Sequence, residues 1–145
     1  MVFKSMLAGI AVAVMAAGPV LAADCQLPAE AQPGKAISSQ CKACHTFDAS
    51  KPKGPVGPNL HDVYGEKAGT QKEFKYSEAI QAANAKGLEW TDDKLVQYLA
   101  DPKAFLTSVN GSELKNLMAF NLKDEGKRKD IVAFLKAIKG KPECN

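Results

Sequence analysis

The sequence is short of several things at once. It holds one tryptophan, Trp90, and two histidines, His45 and His61. With so few histidines a structural zinc site would lack its second pair of ligands. No run of lysine or arginine points to a nucleic-acid partner, and a formal charge of +3 spread over 145 residues adds nothing to that reading. No stretch alternates apolar and polar residues with period two, and no internal repeat is visible, so neither a sheet nor a solenoid is expected. After the first two dozen residues no apolar run approaches the about 20 residues that a membrane helix needs. Aromatic residues make up only 7% of the chain. A small fold so provided leans on a staple of some kind.

What is present begins with a leader. Lys4 precedes an apolar stretch from Met6 to Ala17, then Gly18-Pro19 and the small-residue run Val20-Leu21-Ala22-Ala23. A positive start, a short apolar stretch and small residues at its end form a secretory signal peptide, too short to serve as a membrane anchor. Residues 1–23 are therefore expected to be removed in the periplasm, leaving residues 24–145 as one domain. Loss of Lys4 lowers the formal charge from +3 to +2.

The spacing predicts an all-α domain with long loops. Pro33 to Ala43 reads as a first helix and Tyr76 to Ala85 as a second. Between them, from Thr46 to Thr70, Pro52, Gly54, Pro55, Gly57, Pro58, Gly65 and Gly69 interrupt any regular element. Thr91 is a candidate N-cap, followed by Asp92 and Asp93 in a first turn that favours negative charge. That helix turns Leu95, Val96 and Leu99 inward and is expected to stop at Asp101-Pro102. Residues 103–122 read as irregular. A last helix is expected from about Asp124 to Lys139, with an apolar stripe of Ile131, Phe134, Leu135 and Ile138, a cap at Gly140 and Pro142 beyond. Loops of this length make sense if they wrap a flat apolar ligand that replaces missing core.

Cys41-Lys42-Ala43-Cys44-His45 says which ligand. C-x-x-C-H is the attachment motif of c-type haem. Two cysteines one turn apart can each bond one edge of the same macrocycle, and the adjoining imidazole can turn under the iron. A thioredoxin-like dithiol would want a βαβ setting that is missing. A local disulfide would leave His45 unexplained. For the sixth iron position there are two candidates. Met118 is the only methionine once Met1, Met6 and Met15 leave with the leader, and His61 is the only other histidine. A lone methionine is more often core filling than ligand, but His/Met ligation suits electron transfer because both axial positions are filled.

Further segments follow in a specific order. Gly34 stands seven residues before Cys41, and Gly57-Pro58-Asn59-Leu60 and Gly65-Glu-Lys-Ala-Gly69 come after the motif. Then come Phe74-Lys-Tyr76-Ser77-Glu-Ala79, Trp90, Tyr98-Leu99-Ala-Asp-Pro102-Lys103, Met118-Ala-Phe120 and Arg128-Lys-Asp130-Ile-Val-Ala-Phe134-Leu135-Lys136. In this order the mature chain resembles the class I cytochromes c, and within them the bacterial cytochrome c2 type. The resemblance implies the cytochrome c fold, one covalent haem c on Cys41 and Cys44, and iron ligation by His45 and Met118. It also implies that the Pro58 carbonyl accepts a hydrogen bond from His45 Nδ1, that the Trp90 N–H meets a haem propionate, and that Tyr98 packs beside Met118. Gly34 would let the first helix cross the last near Phe134, and His61 would tie loops together. Two departures stand out. Ile37 replaces the usual aromatic, which suggests a looser crossing, and the stretch from Pro102 to Met118 is longer than in the mitochondrial proteins.

Cys25 and Cys144 lie outside any haem motif, and in an oxidising compartment spare cysteines usually pair. Lipidation of Cys25 is the alternative, with Asp24 in place of the usual small residue. The expected function is that of a soluble, monomeric, periplasmic carrier of single electrons rather than an enzyme. It would pass electrons by outer-sphere transfer through the haem edge, in transient contact with donor and acceptor redox proteins, with no membrane anchor and no nucleic acid. Most of the scattered lysines (Lys42, Lys51, Lys53, Lys67, Lys72, Lys75, Lys103, Lys115) read as solvated surface, and a subset near the cofactor edge would steer an acidic partner.

Overall fold

The computed structural model describes residues 24–144, so the expected leader lies outside them. Among the described residues there are five α-helices and no strand, only three isolated β-bridges.

Helix α1 spans Gln32–Ile37, with Pro33 in its first turn, and passes into a 3-10 turn at Ser38–Gln40. The expected helix to Ala43 is cut short by two serines. The hydroxyls of Ser38 and Ser39 donate to the carbonyls of Lys35 and Ala36 at 2.7 and 2.9 Å, competing with the α-helical ladder. Helix α2 covers Glu78–Ala85, two residues later than expected at its start, because Ser77 is the cap and accepts from the Ile80 N–H. Helix α3 covers Asp92–Ala100; Thr91 precedes it in extended backbone but makes no side-chain cap bond.

The irregular stretch expected after Asp101 is overturned in its first half. Helix α4 runs Pro102–Asn110, with Asp101 accepting from the Ala104 N–H at 2.9 Å and Pro102 in the first turn. Proline ends a helix when read from one side and begins one when read from the other. Gly111, at a φ of 77°, closes α4. Helix α5 covers Glu125–Ile138, capped by Asp124 on the Lys127 N–H at 3.0 Å.

Helix α1 crosses α5; α3 packs on α5 and on α4, and α2 packs on α4. The α1–α5 crossing is close despite Ile37. A methyl group on Gly34 would stand 2.7 Å from Phe134 Cβ and overlap the Asp130 carbonyl. Phe134 meets Phe47 edge-on at 5.5 Å, and Trp90, Tyr98 and Phe105 form a second aromatic group, with Trp90 and Tyr98 4.8 Å apart. Cys25 and Cys144 are bonded, with Cα atoms 4.8 Å apart, closing the two ends of the domain together.

Candidate haem-binding site

Cys41 to Cys44 form turns directly after the 3-10 segment, and the chain stays helically wound. The N–H groups of Cys44 and His45 both donate to the Cys41 carbonyl, at 3.1 and 2.9 Å. Both thiols are outside the disulfide, Cys41 half-buried and Cys44 exposed. Burial, helped by the neighbouring Cys44, pushes the Cys41 thiol above its ordinary value.

His45 is oriented by the loop that follows. Its Nδ1 lies 2.8 Å from the Pro58 carbonyl oxygen, which fixes Nδ1 as the protonated nitrogen and leaves Nε2 the lone-pair side. Burial lowers the His45 pKa, opposed by that hydrogen bond, which favours the neutral ring a metal needs. Gly57 lies flat against the imidazole: a methyl group there would stand 2.6 Å from Nδ1. The loop is pinned in turn. Val56 and Gly57 N–H groups donate to the Cys44 carbonyl at 3.0 and 2.8 Å, and Leu60 N–H donates to Thr46 at 2.8 Å. Buried Asn59 gathers the rest. Its Nδ2 donates to the carbonyls of Asp48 and Lys51, its Oδ1 accepts from His61 N–H, and its N–H donates to Gln71.

Met118 sits in the loop between α4 and α5, half-buried and packed against the core. Asn116 brackets it, donating to the Met118 carbonyl at 2.9 Å and accepting from its N–H at 3.4 Å. The loop is tied at both ends: Ala79 N–H donates to Lys115 at 3.2 Å, and Leu122 N–H donates to Leu99 at 2.7 Å. The second tie joins the Met118 loop to α3 beside Tyr98. Tyr98 itself is packed between Trp90 and Phe105, and burial pushes its phenol well above the ordinary range.

His61 is drawn elsewhere. It is buried at 2% exposure, with Nε2 2.9 Å from the Lys141 carbonyl and Nδ1 3.0 Å from Asp62 Oδ1. Asp62 Oδ1 also accepts the Gly140 N–H at 2.9 Å, so the pair fastens the turn after α5. The roles of Gly54, Gly57, Asn59 and Asn116 escaped the sequence reading; their only signals were the glycine spacing and the polar residues flanking Pro58 and Met118.

The residues present fit a covalent haem: two thiols outside the disulfide, an imidazole presented by a carbonyl, and a glycine at 57 that leaves room for that imidazole. A surface groove of about 710 Å³ between α3 and α5 is lined by Val96, Val132 and Ala133 with ion pairs at its rim, and touches none of these residues. No group of three or more His, Cys, Asp or Glu side chains among the described residues could hold a metal ion by itself.

No protein-family model matches the chain. Curated relatives do. The chain is 38% identical over 111 residues to a cytochrome c2 of Rhodospirillum rubrum, covering 76% of this chain and 82% of that protein. It is 36% identical over 140 residues to a cytochrome c2 of Cereibacter sphaeroides, covering 91% and 94%. Among solved structures, cytochrome c2 of Rhodospirillum centenum superposes with a TM-score of 0.66 at 38% identity, covering 72% of this chain and 94% of that one. Ferric cytochrome c-550 of Paracoccus versutus gives 0.69 at 34% identity, covering 75% and 97%.

Proposed function

This chain belongs to the cytochrome c2 family of class I c-type cytochromes, and on that premise we propose that it is a soluble periplasmic carrier passing single electrons between larger redox proteins. The fold is the all-α cytochrome c fold, and the family's cofactor is one covalent haem c. When bound, that group supplies an iron that gains and loses one electron. The remaining work belongs to the chain. Cys41 and Cys44 would hold the haem through thioethers, and His45 and Met118 would hold its iron. Pro58 holds the His45 ring in one orientation and raises its basicity. The Trp90 N–H offers a partner to a propionate that would be costly to bury alone, and Tyr98 closes the wall behind the Met118 loop.

The observation that carries this reading is the His45–Pro58 hydrogen bond beside two cysteines outside the disulfide. With His45 and Met118 both on the iron, no position would remain for a substrate, and transfer would be outer-sphere. Around the site the surface suits a short-lived contact. Leu117 and Phe120 are exposed on either side of Met118, at 63% and 39%, with Lys115 exposed nearby and Lys42 and Lys53 exposed next to the cysteine turn. An apolar centre with lysines beside it fits an acidic-rimmed partner met transiently by a monomer. Residues 1–23 act in this reading as the cleaved signal peptide, and the oxidising compartment it leads to is where the Cys25–Cys144 bond persists.

Carbon monoxide tests the ligation. The ferrous, haem-loaded protein is expected to keep its spectrum under carbon monoxide, because Met118 occupies the sixth position. Rapid formation of a carbonyl complex would make it a gas-binding or peroxidase-type protein instead. In the same preparation, thiol titration of the denatured, unreduced chain should find no free thiol.

A further inference from the structure

The segment Lys53 to Pro58 folds back on itself. Lys53 and Pro58 form an antiparallel bridge, and the Gly54 N–H donates to the Gly57 carbonyl at 2.9 Å. This tight turn lies flat against the cysteine turn, whose Cys44 carbonyl accepts from both Val56 and Gly57. Its two glycines face different neighbours. A methyl group on Gly57 would press on the His45 ring. A methyl group on Gly54 would press on backbone, 2.5 Å from His45 Cα and 2.6 Å from the Cys44 carbonyl oxygen. That backbone is held in place, because the His45 and Cys44 N–H groups both donate to the Cys41 carbonyl and, in the reading proposed above, Cys41 and Cys44 would be anchored to the haem. Neither glycine has a positive φ, so space alone demands them.

We propose that Gly54 is a positioning residue for the iron's reduction potential: the bare backbone at 54 lets the turn seat on Cys44-His45, and that seating sets the Pro58 carbonyl against His45 Nδ1. Any side chain at 54 lifts the turn, and Pro58, bridged to Lys53 next to Gly54, lifts with it. The hydrogen bond to His45 weakens, the imidazole becomes a poorer donor, and the ferric state loses more support than the ferrous. The potential then rises. This rests on His45 being the proximal ligand, as proposed above. The spectrum of the parent protein checks that point separately: failure to bind haem there would overturn the functional reading before any variant is made.

The test is Gly54→Ala in the haem-loaded protein, read by midpoint potential, by exchange of the His45 Nδ1 proton in NMR, and by the near-infrared sulfur-to-iron band. The expected result is a higher potential and faster Nδ1 proton exchange with the band retained. Val56→Ala, at the 68% exposed tip of the same turn, should leave the potential and the exchange as in the parent. If Gly54→Ala does not take up haem, Pro55→Gly loosens the turn without adding atoms and should shift both readouts in the same direction by less. Potential and proton exchange equal to the parent in whichever variant takes up haem would overturn the proposal.

Discussion

The two loops proposed to offer iron ligands are built differently. The His45 side is a pinned hairpin: one carbonyl of Cys44 takes two N–H groups, Asn59 clasps the loop from within, and two glycines bring backbone into contact with the cysteine turn and the imidazole. The Met118 side is a span tied at Lys115 and Leu122, with one asparagine bracketing the methionine and exposed apolar residues on both sides of it. Preorganisation is therefore uneven: the fold holds His45 firmly, and the segment around Met118 has fewer ties of its own.

Asparagine substitutions give the largest test of that contrast. Asn59→Ala removes the centre of a buried hydrogen-bond cluster and should cost about 2–4 kcal/mol in denaturant unfolding of the haem-loaded protein, since stranded buried partners each cost about 1–3 kcal/mol. Asn116→Ala touches a partly exposed bracket and should cost about 1 kcal/mol or less. Equal costs would remove the distinction between the loops.

A smaller effect separates the ligands directly. In a denaturant titration the near-infrared band that reports Met118 ligation should fade at a lower concentration than global unfolding, because opening the Met118 loop exposes little buried apolar surface. Met118→Ala should abolish the band and lower the potential. A band that disappears only with global unfolding would show that the distal loop is as firmly held as the proximal one.

The smallest effect is set by pH. Hydrogen bonds from the Ser50 hydroxyl and N–H, with Lys51 adding to them, hold the Asp48 carboxyl below its ordinary value. A depressed folded-state value means that its contribution is complete above the unfolded value of about 3.9 and is lost as pH falls through the folded one. Residues 114–122 contain no carboxylate. Acid below about pH 3.9 should therefore weaken amide protection around Asp48 and Ser50 while leaving the Met118 segment unchanged, with Asp48→Asn abolishing the difference.

Much was legible in one dimension because it depends on spacing along the chain. Cys41, Cys44 and His45 declare their chemistry by being three and four residues apart, and Asp124 before Glu125 announces a helix start at any reading. Met118 stood out by being the methionine left after the leader. Pro102 shows where such reading stops. Its fixed φ suits a helix start as well as a helix end, and only the Asp101 side chain folding onto Ala104 decided between them.

What the sequence by itself determined is the ligand and its covalent anchor, since local backbone geometry brings the Cys41-to-His45 groups together whatever surrounds them. The tertiary structure alone decided how that anchor is held. Pro58 reaches His45 across thirteen residues, Gly54 and Gly57 matter only because His45 lies against them, its backbone at the one and its ring at the other, His61 is spent on Lys141 eighty residues away, and Cys25 meets Cys144 across 119 residues. Contacts between distant segments depend on how the chain closes on itself, and closure is a property of the packed whole that no local spacing records.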